Sequence, residues 1–250
     1  MLEKTEGIVL HTIKHSDSGI ITHIFTKKYG RLSFMVKGIS RKKGTTYRSY
    51  FQPLQPLSIE FYYREKRDLH VIKEASPLFN YLNLHSNIRM NSIIMFLGEV
   101  LYKALRPAGP DENLYEFVID TLDYLDNEKR LMPNFHIGFI IGLTKYLGIA
   151  PSNNYSSNLQ YFDMQNGIYM EHPPLHGFYM SKVYSSLLNE FLRSNIYECN
   201  NISLSGQSRR EFLDDMLIFY SLHLPGFKNI KSLKIYSEMF SQSNQGNGPN

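Results

Sequence analysis

The chain has 250 residues, 42% of them apolar, which is enough for one large or two modest hydrophobic cores and too many for a disordered chain. A single cysteine, Cys199, excludes an intramolecular disulfide framework and any metal site built from two cysteines of one chain, and fits a reducing compartment such as the cytoplasm. The net charge of +4 hides an asymmetry: residues 1 to 80 hold 14 Lys or Arg against 7 Asp or Glu, whereas residues 81 to 250 hold 13 against 16. This predicts a polyanion-binding module joined to a near-neutral scaffold. The start, MLEKTEGIVL, lacks the apolar core of a signal peptide. The most apolar stretch, Phe135 to Ile149, is interrupted by His136 and Lys145 and falls short of the ~20 residues of a membrane span, so no membrane association is expected.

Residues 6 to 13 and 20 to 26 are rich in β-branched and aromatic side chains and predict two strands across a polar turn. Lys28-Tyr29-Gly30-Arg31 predicts a short hairpin into a third strand, Leu32 to Val36. Leu57 to Tyr63 and Leu69 to Lys73 predict a second hairpin across Arg64 to Asp68. Five short strands in this span are too few to cover both faces of an open sheet, and closure into a small barrel of OB type is expected.

From Leu82 the apolar period becomes helical. A first helix covers Ile88 to Lys103 and stops at the Arg106-Pro107-Ala108-Gly109-Pro110 breaker. Asp111 is placed to cap a second, running to about Leu125. A third starts at Pro133 or Asn134 and ends on Gly148, with Gly138 and Gly142 permitting close packing. Residues 151 to 177 are rich in Asn, Ser, Gly and Pro and predict an irregular insertion with a short hairpin about Gln165-Asn166-Gly167. Helices resume over Ser181 to Arg193, Ser208 to His223 and Ile230 to Met239, and residues 241 to 250 predict a disordered tail. The expected class is α+β: an OB barrel over 1 to 80, then an all-α domain over 81 to 240.

Chemical motifs are sparse. The chain has no Gly-rich phosphate loop, no Gly-x-Ser-x-Gly elbow and no His-Glu-x-x-His. Pro173-Pro174 keeps His172 and His176 off one helix face, so an ordinary turn is the expected reading there. Cys199 reads as a structural thiol and Asp214-Asp215 as a solvated face. No cofactor and no catalysis are expected.

One stretch stands apart. Lys27 to Arg48 holds eight Lys or Arg and no acid. Candidate nucleic-acid contacts are Lys27, Lys28, Arg31, Lys37, Arg41, Lys42, Lys43, Tyr47 and Arg48, because clustered cations release counterions from a row of phosphates. Tyr29, Tyr47 and Tyr50 interleave with these charges and are candidates for stacking on bases, whereas Phe34 and Phe51 are expected in the barrel core.

The residues Glu6 to Leu10, Ile21 to Thr26, Tyr29-Gly30-Arg31-Leu32-Ser33, Lys37-Gly38, Arg41-Lys42-Lys43, Phe51-Gln52-Pro53-Leu54 and Leu69 to Ala75 resemble, in order and spacing, the N-terminal domain of the bacterial RecO recombination mediators. The resemblance continues through Tyr146-Leu147-Gly148-Ile149-Ala150-Pro151, Arg209 to Leu213 and Lys231-Ser232-Leu233. It implies an OB-fold joined to a helical domain, binding of single- and double-stranded DNA, and strand annealing in recombinational repair, with a cytoplasmic, nucleoid-associated location. It also implies work with RecR and with the acidic tail of the single-stranded DNA-binding protein, to load RecA onto covered gaps. Many RecO-like chains carry a four-cysteine zinc site after the Leu-Gly-x-x-Pro segment; residues 152 to 177 here contain no cysteine, so no zinc is expected. Two other readings of the basic stretch are an adaptor docking an acidic protein tail and an RNA-binding OB protein.

Overall fold

The computed structural model describes residues 1–38, 48–84, 88–105, 109–128 and 132–233. The expected helix over 230 to 239 and the tail lie largely outside them. The chain forms two compact units, Met1–Glu128 with Ile230–Tyr236, and Lys129–Asn229.

The first unit is built on five strands: β1 (Leu2–Ser16), β2 (Gly19–Thr26), β3 (Gly30–Lys37), β4 (Pro56–Tyr62) and β5 (Leu69–Pro77). They close into a barrel in the order β1-β2-β3-β5-β4, with β1 returning to β4. All pairs are antiparallel except β3 with β5. This is the OB arrangement expected from the strand count. Its core gathers Val9, Ile24, Leu57, Ile59 and Phe61 with both expected phenylalanines, Phe34 and Phe51. β1 can serve two neighbours because it is long: residues 2 to 8 pair with β4 and 7 to 16 with β2, with a bulge between Val9 and His11. Gly7 sits where the strands close tightest, since a Cβ there would lie 2.5 Å from Ile24 Cγ2. The β2–β3 turn is closed by Thr26, whose hydroxyl donates to the Gly30 carbonyl at 2.7 Å and accepts from the Tyr29 N–H at 3.1 Å.

Two helices complete this unit, α1 (Ile88–Ala104) and α2 (Glu112–Asn127). Asp111 caps α2 as expected, its carboxylate accepting from the Leu114 N–H. Gly98 lets α1 lie against the barrel: a Cβ there would meet the Leu10 carbonyl oxygen at 3.3 Å and Pro53 Cβ at 3.2 Å. The segment after β5 is fastened to α2, with Asp126 accepting from the backbone N–H groups of Leu82, Asn83 and Leu84, and Tyr81 donating its hydroxyl to Asp123. These bonds explain why the barrel and both helices form one compact unit that extends past residue 80.

The second unit is organised on α3 (Phe135–Tyr146), buried along nearly its whole circumference by Phe135, His136, Ile137, Phe139, Ile140 and Leu143. Around it lie α4 (Lys182–Arg193), a 3-10 helix (Ile196–Asn201) and α5 (Gly206–His223). Gly138 packs against the 3-10 helix; its Cβ would be 3.0 Å from Cys199 Sγ. Asn134 precedes α3 but makes no side-chain cap bond. It is instead a buried junction, donating to the carbonyls of Cys199 and Ile202 and accepting from Arg209 Nε at 2.8 Å. His136 is fully buried, and burial plus the Arg209 charge holds its imidazole down at about 3.

The expected hairpin forms as β6 (Tyr161–Asp163) and β7 (Ile168–Met170), joined on the other edge of β6 by β8 (Tyr179–Met180). Gly167 takes φ +68° in the turn, a conformation that glycine adopts without a Cβ penalty.

Candidate nucleic-acid interface

The cations of the basic stretch divide into three groups. Lys27 and Lys28 occupy the β2–β3 turn, and carboxylates hold both. Lys27 Nζ lies 2.6 Å from Glu116 and 3.2 Å from Glu112 of α2, which raises its affinity for its proton. Lys28 Nζ lies 2.8 Å from Glu3 Oε2, and hydrogen bonding to Glu3 and Tyr29 holds the lysine well above its ordinary value. Bonds from Lys28 and Tyr29 in turn hold the Glu3 carboxyl below the usual range. Arg31 lies with its guanidinium 4.1 Å from the centre of the Tyr102 ring and donates to the Tyr102 carbonyl at 2.7 Å. These three cations are structural ties within the unit, and a phosphate would have to compete with their present partners.

Lys37, at the end of β3, and Arg48 are exposed and make no ion pair among the described residues. They bracket the connection from β3 to β4. Arg41, Lys42, Lys43 and Tyr47 fall between them, outside the described residues. The structure thus keeps the two ends of the basic loop open to solvent.

The aromatic expectation changes. Tyr29 and Tyr50 are half-buried and pack on the barrel core. Tyr29 stands edge-on to Phe61 and stacks on Tyr63 at 4.9 Å; Tyr63 stacks on His70 at 5.2 Å. The row braces the base of the β4–β5 loop, where Arg64, Lys66 and Arg67 are all exposed and without an ion pair among the described residues. Sequence reasoning treated 64 to 68 as a plain turn. The available signal was three cations within four positions, diluted by Glu65 and Asp68. The outer surface of β1 and β2 next to α1 is closed: Tyr102 packs on His11 at 4.8 Å and His23 at 5.0 Å, and burial lowers the His11 imidazole, with Glu99 pulling it up and Arg31 and Lys231 down.

Elsewhere the side chains carry less chemistry. Among the described residues no three His, Cys, Asp or Glu converge as metal ligands. The insertion, which has no cysteine between residues 152 and 177, holds its turn by one carboxylate. Asp163, 1% exposed, accepts from the N–H groups of Gln165 and Asn166 and from Asn166 Nδ2, and lies 3.2 Å from His176 Nε2. Cys199 is buried and burial pushes its thiol up to about 12, as suits a structural role. Asp214 is exposed, but Asp215 is half-buried rather than solvated; burial, then Asp214 and Glu211, raise it to about 6. No helix of the described residues is long and apolar enough to cross a membrane.

Two family models match consecutive parts of the chain: recombination protein O N terminal over residues 1–81 and recombination protein O C terminal over residues 85–234. The chain is 34% identical to a DNA repair protein RecO of Phocaeicola vulgatus, over 96% of this chain and all of the relative. It is 34% identical to that of Porphyromonas gingivalis and 31% to that of Azobacteroides pseudotrichonymphae, again over 96% of this chain and the whole of each relative. With an OB-type barrel, a helical region after it in the chain and both halves matched in order, the chain belongs to the RecO family of DNA repair proteins.

Proposed function

We propose that this protein is a non-catalytic recombination mediator that binds single- and double-stranded DNA and anneals complementary strands. It works with RecR and with the acidic tail of the single-stranded DNA-binding protein to help load RecA on covered gaps, in the cytoplasm at the nucleoid. Residues 1 to 80 carry the DNA contacts. The observation that carries this reading is the β3–β4 connection of an OB-type barrel, whose described ends, Lys37 and Arg48, are exposed cations without an ion pair among the described residues. Annealing asks for little more than screening the repulsion between two strands while their base-pairing edges stay free.

With Lys27, Lys28 and Arg31 tied to partners, Lys37, Arg41, Lys42, Lys43 and Arg48 remain as phosphate contacts. Five such contacts on a single strand give log K against log salt a slope of about −3.5. The test is annealing of complementary oligonucleotides, naked and coated with single-stranded DNA-binding protein with and without its tail, beside a salt titration of binding. Loss of annealing on coated strands when the tail is removed supports the partner contact. Absence of annealing on naked strands, or binding indifferent to salt, removes the proposed function.

A further inference from the structure

The hairpin turn of the insertion carries a reactive dipeptide. Asn166 is followed by Gly167, and the pair lies at the surface, with Asn166 exposed. A glycine has no Cβ to screen its backbone nitrogen, so that nitrogen can reach the side-chain amide carbon of the asparagine before it. Attack there forms a C–N bond and closes a five-membered succinimide, while the side-chain nitrogen takes up a proton and leaves as ammonia. Water then opens the ring on either side, giving aspartate or, with one extra carbon in the backbone, isoaspartate. The chain supplies nucleophile and electrophile, and water is the only co-reactant.

Asp163 holds both reacting groups. Its backbone carbonyl accepts from the Gly167 N–H at 2.8 Å, which keeps the proton on the attacking nitrogen. Its carboxylate accepts from Asn166 Nδ2 at 2.7 Å and from the Asn166 backbone N–H at 3.1 Å. The attacking and the leaving nitrogen are therefore tied to one residue. The carboxylate is 1% exposed, and its charge also opposes the negative charge that the Gly167 nitrogen must acquire. Bonding, rather than burial, is what guards this exposed pair.

The same residue anchors the other side of the small sheet. Asp163 Oδ1 lies 3.2 Å from His176 Nε2, and the next residue, Met164, donates its N–H to the Phe178 carbonyl at 3.0 Å, just before β8. Deamidation would set a second carboxylate where the 2.7 Å bond from Asn166 Nδ2 now stands, removing a donor and adding repulsion. Isoaspartate would in addition lengthen the backbone of residues 164 to 167, which join β6 to β7 in register.

We propose that Asn166 is a covalent modification site, a latent deamidation site that the Asp163 hub keeps unreactive in the folded insertion and whose reaction unlatches that insertion. The inference is independent of the DNA-binding reading. It makes the state of the insertion one-way, because the product no longer carries the donor that closed the turn.

The test follows the full chain at mildly alkaline pH, folded and in urea, with digestion at intervals. Mass spectrometry separates the asparagine, aspartate and isoaspartate forms of the peptide containing Asn166. A synthetic peptide of residues 161 to 171, with and without urea, corrects for the denaturant. Asn166 should react at least about 30-fold more slowly in the folded chain, because reaction waits for local opening. Asp163→Asn keeps an acceptor for the backbone N–H groups but turns a donor toward Asn166 Nδ2, and should raise the folded-state rate roughly 10-fold. The product is mimicked by Asn166→Asp, which should lower amide protection over residues 161 to 180 by roughly 10- to 100-fold at neutral pH, with the difference closing in acid. Asn166→Ala, which loses the bond without adding charge, should lose less. A folded-state rate within about 3-fold of the unfolded one would overturn the shielding, and this comparison needs no variant to fold. An unchanged rate in Asp163→Asn would remove the hub as its cause. Protection in Asn166→Asp within about 3-fold of wild type would show that the modification unlatches nothing.

Discussion

Replacing Asp163 by alanine should open the insertion selectively. The carboxylate is 1% exposed and accepts from Gln165 N at 2.8 Å, Asn166 N at 3.1 Å and Asn166 Nδ2 at 2.7 Å, with His176 Nε2 at 3.2 Å. His176 Nδ1 accepts from the Phe178 N–H, so the ring proton is on Nε2 and faces the carboxylate. A hydrogen bond to a charged group contributes roughly 1.5 to 3 kcal/mol, but bonds sharing one acceptor do not add. Removing the hub strands several donors at once, and the expected cost is on the order of 3 to 4 kcal/mol. At about 1.4 kcal/mol per decade this is a loss of amide protection between two and three orders of magnitude over residues 161 to 180, read by hydrogen exchange on the full chain. Asp163→Asn should fall between, since it keeps one acceptor but turns a donor toward Asn166 Nδ2. Burial alone would raise this carboxyl; the bonds from Asn166, Gln165 and His176 outweigh it and hold the group below its ordinary value. The stabilisation is therefore full above the unfolded value near pH 3.9 and is lost as pH falls through the folded one, so wild type and Asp163→Asn should converge in acid. Protection in Asp163→Ala within about threefold of wild type would refute the argument that one carboxylate holds this turn.

Three further outcomes follow from local geometry. Gly7→Ala should destabilise the barrel by roughly 1 to 3 kcal/mol in urea unfolding, because its Cβ would stand 2.5 Å from the buried Ile24 Cγ2. Glu99 accepts from the backbone N–H groups of Lys231 and Ser232 and from the Ser232 hydroxyl, so Glu99→Ala should cost about 1 kcal/mol and accelerate exchange at those two amides, with no change in the second unit. The Cys199 thiol, buried and pushed up to about 12, should resist Ellman's reagent at neutral pH and react once denaturant is added; prompt reaction of the native protein would contradict its burial.

The barrel was legible because its strands alternate or run apolar over short spans, and the glycine-bearing Lys28 to Arg31 turn and the polar Arg64 to Asp68 turn mark its hairpins. The first strand was underestimated, running from Leu2 rather than residue 6. Its inward positions include Glu3 and Thr5, each 8% exposed, and a polar pair facing inward disguises the alternation until Lys28 and Tyr29 are seen to satisfy Glu3. Asn134 shows the same limit in the helical region. Its position before a helix invites a cap, yet its side chain is taken by partners 65, 68 and 75 residues away.

By itself the sequence determined the class of the molecule: a charge-asymmetric chain with an OB-type barrel first and helices after, in a pattern of spaced motifs that marks its family. Those properties are local, set by periodicity, turn residues and composition. Which cations are available is not a local property. Lys27 and Lys28 look identical to their neighbours in the basic run, and only folding brings Glu3 from 25 residues before and Glu116 from 89 residues after to close them. Tertiary structure therefore decided which cations of the basic domain are already paired, since Coulomb pairing acts between residues that sequence keeps far apart.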